Sequence, residues 1–226
     1  MAQDAHVVAA PGPWRAVVSD YASDKQAFTV PWGKAMMWVF LLSDTFIFTC
    51  FLVAYMNVRM SATAAWPVPS EVFALHIGGH TLPLLLIAIM TFTLITSSGT
   101  MAMAVNFGYR RDRVRTSLLL VATALLGASF VGMQAFEWTK LIVDEGVRPW
   151  GNPLGAAQFG SSFFMITGFH GAHVTAGVIY LLVTARRVWT GFYDRKGTYG
   201  TVEIAGLYWH FVDLVWVFIF AFFYLW

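Results

Sequence analysis

The chain is short of charge and almost without cysteine. Asp, Glu, Lys and Arg together make up 12% of its 226 residues, about half the share usual in soluble domains. With 58% hydrophobic and 17% aromatic residues and a mean hydropathy of +0.64, an ordinary water-facing surface cannot be assembled, so the composition is that of a membrane protein. A net charge of +2 carries no polybasic surplus, and no nucleic-acid partner is expected. The lone cysteine, Cys50, cannot staple a fold; inside an apolar run it is expected to be a small core hydrophobe without a role. There is no phosphate-binding loop, no activated serine and no nucleophilic cysteine arrangement, so no catalytic residue is assigned. The first thirty residues hold no apolar core of signal-peptide length, since Val7–Ala10 is too short and Pro11 and Pro13 follow it. Insertion is expected to rely on the first spanning helix.

Long apolar runs are what the chain does have. About 20 such residues cross roughly 30 Å of hydrocarbon, and five stretches qualify, at about 35–58, 80–105, 117–141, 158–184 and 203–226. The expected fold is all-α and integral to the membrane: a cytoplasmic segment 1–33, then a five-helix bundle over 34–226. Breakers occupy the connections: Pro67 and Pro69, then Pro149, Gly151 and Pro153, then Gly191 and Gly197. Pro83 is expected in the first turn of the second span, where a missing N–H matters least. No repeat is visible, and five spans fit poorly with paired inverted halves, which weighs against a transporter.

Basic residues set the orientation. Arg15, Lys25, Lys34, Arg110, Arg111, Arg113, Arg115, Arg186, Arg187, Arg195 and Lys196 fall on one side, leaving Arg59, Lys140 and Arg148 on the other. The positive-inside rule puts the N-terminus in the cytoplasm and Trp226 on the periplasmic side. Close helix packing is expected along Ala124, Ala128 and Gly132 and along Gly168, Ala172 and Ala176, small residues at four-residue spacing. Trp138, Trp150, Trp189, Trp209 and Trp226 are expected as interfacial anchors.

Polar groups deep in the spans need partners. Asp44 lies roughly 15 Å inside its span, and Asp213 about as deep from the same side. His210 and Asp213, three residues apart, share a face, as do His170 and His173. Gln134 and Glu137 lie toward the outer end of the third span. One reading makes His170, His173 and His210 metal or haem ligands, with Asp213 beside them. The favoured reading is a network of interhelical hydrogen bonds formed by Gln134, Glu137, His170, His173, Glu203, His210 and Asp213, with no metal. Asp44 is either a proton-handling group or a carboxyl bonded to a neighbouring helix. His76 and His80, flanking Gly78-Gly79, are expected at the interface rather than in a catalytic role.

Four segments carry a resemblance. GSSFFMITGFHGAHVTAG (160–177) and E-x-x-G-x-YWHFVDLVW (203–216) closely resemble subunit III of haem–copper oxidases, above all cytochrome c oxidase. MMWVFLLSDTFIF (36–48) resembles that family's Ser-acid helix, and LGASFVGMQAFEW (126–138) its Gln-x-x-Glu helix. The likeness runs through all five spans in order and is to the family's five-helix form. It implies a non-catalytic subunit of a proton-pumping terminal oxidase in the bacterial inner membrane. Such a subunit packs on the catalytic subunit I, with subunit II as a further partner, and the complex draws electrons from cytochrome c. The haem and copper would belong to the partner subunits, while this chain would bind structural phospholipids and support proton uptake and stability in turnover. By matched position Asp44 becomes the proton-related candidate, and Lys34 and Arg187 become candidates for lipid headgroups. Asp44 stands where many cytochrome c oxidases carry glutamate, and aspartate is familiar in the quinol-oxidase branch, which keeps a quinol oxidase as the alternative. A membrane cytochrome or metalloprotein is a more distant one.

Overall fold

The computed structural model describes residues 31–77, 80–82 and 84–226. Most of the segment 1–33, including Arg15 and Lys25, therefore lies outside the described residues, as do Gly78-Gly79 and Pro83. Five helices are long and apolar enough to cross a membrane: α1 (Trp32–Ser61), α2 (Leu85–Tyr109), α3 (Arg113–Val143), α4 (Gln158–Trp189) and α5 (Gly200–Phe220). A short π-helical turn, Ala221–Leu225, continues α5. At 1.5 Å per residue α1, α3 and α4 reach roughly 45 Å, beyond the hydrocarbon core, so their ends enter the headgroup layers or the helices tilt.

The helix boundaries follow local chemistry rather than hydropathy. α2 begins at Leu85, not near 80, because Leu75–Ile77 and His80–Leu82 pair as a small antiparallel ribbon. Between α2 and α3 the turn is abrupt. Arg111 takes a left-handed conformation (φ 57°), its N–H bonds Gly108 O at 3.0 Å, and the Asp112 N–H bonds Phe107 O at 3.0 Å. This pair of bonds closes the end of α2 as a Schellman motif. Asp112 then caps α3 at once, accepting from the Arg115 N–H at 3.1 Å. Both helices thus run several residues into the basic segment that the apolar pattern excludes.

Helices α2, α3, α4 and α5 form a ring in which each touches its two neighbours, and α1 lies outside it against α4 and α5. Only 17% of α1's most apolar window is buried within the protein, against 44% for α5. Cys50 faces outward on α1 rather than into a core.

Trp209 on α5 fills the middle of the ring. It is 1% exposed, so it is a core residue and not the interfacial anchor expected near a span end; α5 starts at Gly200 and turns this position inward. A Cβ placed on Gly127 of α3 would run into the Trp209 ring, and one on Gly177 of α4 would come within 2.9 Å of it. The indole N–H donates to Ser97 Oγ of α2 at 2.9 Å. Close packing around Trp209 is therefore made at Gly127 and Gly177; of the expected α3 stripe Ala124 alone is buried, while Ala128 and Gly132 face outward. Replacing Gly127 with Leu is expected to overpack the ring at a cost of about 1–3 kcal/mol, seen as a lower melting temperature in detergent. Gly132→Ala, which meets nothing within 4 Å, should leave that temperature unchanged.

Candidate functional site

A polar contact at mid-helix joins α1 to α4. Asp44 and His173 each lie near the middle of their helix, and Asp44 Oδ2 stands 3.1 Å from His173 Nε2, although the two are not aligned as a full hydrogen bond. His173 Nδ1 lies 2.8 Å from the Phe169 carbonyl. A carbonyl only accepts, so that nitrogen carries a proton and Nε2 is left facing the carboxyl. A bare carboxylate against a bare ring nitrogen, far from water, would be doubly unfavourable. A proton held between them, on either atom, leaves the pair net neutral. The ring is fixed by Phe48, whose centroid lies 5.6 Å away, and by Phe169 at 4.7 Å. The Tyr208 hydroxyl donates to the His173 carbonyl at 2.9 Å, bringing α5 to the same place.

Beside this pair, α1 and α5 bound a groove of about 320 Å³ lined by Phe48, Leu52, Met56, Phe211, Leu214 and Phe218, among others. Its lining is almost wholly apolar, the character of a surface that acyl chains wet.

The other singled-out residues separate into local pairings. Lys34, at the start of α1, forms an ion pair with Glu203 at the start of α5, so its ammonium already has an anionic partner. Arg187 is exposed at the same basic end, its guanidinium 5.7 Å from the Phe192 ring centroid. In the neighbouring loop the Tyr199 hydroxyl donates to Asp194 at 2.5 Å; burial, and then that carboxylate, push the phenol up to about 12. Gln134 Nε2 donates to the Thr167 carbonyl at 2.7 Å, tying α3 to α4. Glu137 is buried and accepts from the Tyr224 hydroxyl at 3.2 and 3.3 Å.

The three histidines do not converge. His210 Nδ1 lies 2.5 Å from Ser98 Oγ of α2, so Ser98, not Asp213, is its partner, and Asp213 Oδ1 is buried without one among the described residues. His170 departs further from expectation. It is 0% exposed, and neither ring nitrogen has a hydrogen-bond partner among the described residues. It stacks on Trp216 at 5.4 Å and 26° and meets the edge of Phe130 at 5.8 Å. Among the described residues no three His, Cys, Asp or Glu side chains are grouped to hold a metal ion. His173 faces Asp44, His210 faces Ser98 and His170 has neither, so the three are not brought together as a ligand set among the described residues.

Three partners escaped the sequence reading: Ser98, Tyr208 and Tyr224. For Ser98 the signal was present as the polar run Thr96-Ser97-Ser98-Gly99-Thr100 in mid-span. The two tyrosines lie in aromatic runs that give no cue.

Five membrane-length helices accompany a match to a known family. The family profile described as cytochrome c oxidase subunit III matches residues 6–226. The chain belongs to that family. Among its relatives, the probable quinol oxidase subunit 3 of Staphylococcus epidermidis is 31% identical over 84% of this chain and 86% of its own length. The cytochrome c oxidase subunit 3 of Alkalihalophilus pseudofirmus is 32% identical over 83% and 84%. The cytochrome bo(3) ubiquinol oxidase subunit 3 of Pseudomonas aeruginosa is 33% identical over 91% and 88%. The chain is thus a subunit III of a haem–copper oxidase, part of an oxidoreductase complex whose type the relatives' names leave divided.

Within this subunit the buried Glu137 depends on one hydroxyl. Tyr224→Phe keeps the ring and strips the carboxyl of its donor, which is expected to cost about 1–3 kcal/mol. Thermal unfolding of the purified subunit in detergent checks this, with Tyr224→Phe melting lower than the parent.

Proposed function

We propose that this subunit III serves a cytochrome c oxidase of the bacterial inner membrane, with its basic end in the cytoplasm. In this reading it packs on the catalytic subunit I near subunit II. It carries no redox centre of its own, and the haem and copper sit in those partners. The groove between α1 and α5 takes structural phospholipid acyl chains, and exposed Arg187 at the basic end suits their headgroups; Lys34 is less available because Glu203 already pairs with it. The Asp44–His173 pair holds a proton in mid-membrane and supports proton uptake and stability during turnover.

The observation that carries the reading is the placement of that pair. A carboxyl and an imidazole in apolar surroundings are expensive for structure alone, and they stand beside an apolar groove that Phe48, packed on the imidazole, helps to line. A quinol oxidase is the second reading, favoured by the aspartate at position 44 and by the names of several relatives.

Purification through a tag on this chain in mild detergent tests both. A haem- and copper-bearing subunit is expected to co-purify, and the complex should consume oxygen with reduced cytochrome c. Oxygen consumption driven by quinol alone would favour the second reading, and the lack of any haem-bearing partner would defeat both. Asp44→Asn keeps the size of the side chain and removes its ionisation. The variant complex is expected to assemble and to start at the parental rate, then to lose activity several-fold sooner under turnover. Proton uptake and inactivation at parental rates would reduce Asp44 to a structural role.

A further inference from the structure

Neither the Asp44–His173 pair nor the α1/α5 groove uses the polar cluster on the seam of α2 and α5. Ser98 falls near the middle of α2, and His210 and Asp213 near the middle of the span that runs from Gly200 to Leu225. All three are half-buried. Ile95 and Ala102, one turn to either side of Ser98, are exposed, as are Leu214 and Val217, one turn beyond His210 and Asp213. The cluster therefore opens on the outside of the bundle at mid-membrane and not into the ring.

Its two ionisable members each turn one atom inward and leave one open. His210 Nδ1 is spent on Ser98 Oγ at 2.5 Å, while Nε2 is not closed off. Asp213 Oδ1 is buried without a partner among the described residues, while Oδ2 keeps some exposed surface. Asp44 is the contrast, since its Oδ2 is buried against His173. Among the described residues the groups that bear on the Asp213 charge are Ser98 and His210, and no Lys or Arg is among them. A carboxylate here would hold a charged oxygen out of reach of water and of any fixed cation, which is costly. A carboxylic acid avoids that charge, and its O–H can sit on Oδ2, where the proton is free to leave and return.

We propose that Ser98, His210 and Asp213 form a second proton-binding site of the subunit, separate from the Asp44–His173 pair, with the proton on Asp213 and its exchange at the open α2/α5 seam. The step is the loss and return of one proton at Asp213 Oδ2, to and from water at the seam. His210, held by Ser98 through Nδ1, keeps Nε2 on the same helix face as a neutral hydrogen-bond partner for that water.

The test uses the full chain, purified with its natural partners and returned to lipid. A protonated carboxyl has an infrared C=O band that a carboxylate lacks, and the band moves when deuterium replaces the acid proton. Expected at neutral pH is a band that Asp213→Asn removes and Asp44→Asn leaves in place. In D2O that band should shift several-fold sooner than the helix amides exchange. Ser98→Ala keeps the carboxyl but frees the imidazole, and should move the same band. Asp213→Glu, which retains the acid, covers the case in which Asp213→Asn does not fold, and should move the band without abolishing it. Acid bands untouched by either change at Asp213 would mean an ionised carboxylate and would overturn the proposal. So would a band that resists D2O as long as the helix amides do, or one indifferent to Ser98→Ala.

Discussion

One side chain ties the ring of helices together. Trp209 projects from α5, lies on Gly127 of α3 and Gly177 of α4, and donates its N–H to Ser97 of α2. Inside lipid the hydrophobic effect does not bring helices together, so contact depends on close packing and on polar groups that have nowhere else to turn. Trp209 supplies both at a single position. Its ring needs two glycines to fit, and its one polar atom needs a hydroxyl on the fourth helix. The rest of the α2–α5 seam repeats the second device: Trp216 donates to Thr91 Oγ1 at 3.0 Å, and His210 meets Ser98.

What the sequence made legible follows from what lipid enforces. The five spans are visible because hydrocarbon demands long apolar runs, and the buried Asp44, Gln134 and Glu137 and the half-buried His173 stand out because polar atoms in such runs are rare. Partner choice was less legible. His210 was expected to meet Asp213 because three-residue spacing shares a face, yet a shared face points both residues at the neighbouring helix, where Ser98 waits. Hydropathy places the start of α5 at Glu203 and so makes Trp209 read as an interfacial anchor, whereas its inward aim depends on the glycines of two other helices. Arg111 closes α2 in a left-handed conformation that a sequence reading reserves for glycine.

His170 shows the opposite balance. Its two nitrogens are buried without partners, so its place is held by contact alone: stacking on Trp216 and the edges of Phe130 and Phe48. An apolar residue of similar shape would avoid the cost of burying unpaired polar atoms, about 1–3 kcal/mol for one such group. The neighbouring His173 differs because its backbone carbonyl acceptor and the carboxyl of α1 both lie within reach.

Helix α1 explains why the mid-membrane pair sits where it does. This helix lies outside the ring and buries the least of its apolar surface, so packing alone holds it weakly. It is joined at three levels by polar clasps: Lys34 to Glu203 at the basic end, Asp44 to His173 in the middle, and Arg59 to the Trp226 carbonyl at 2.7 Å at the far end. The two outer clasps lie where water or headgroups can solvate a charge, and each is worth little by itself. The middle one has no such recourse, and its two groups face each other at 3.1 Å in apolar surroundings. The clasps therefore do for α1 what close packing does for the ring, and the middle one lies where α1 walls the apolar groove.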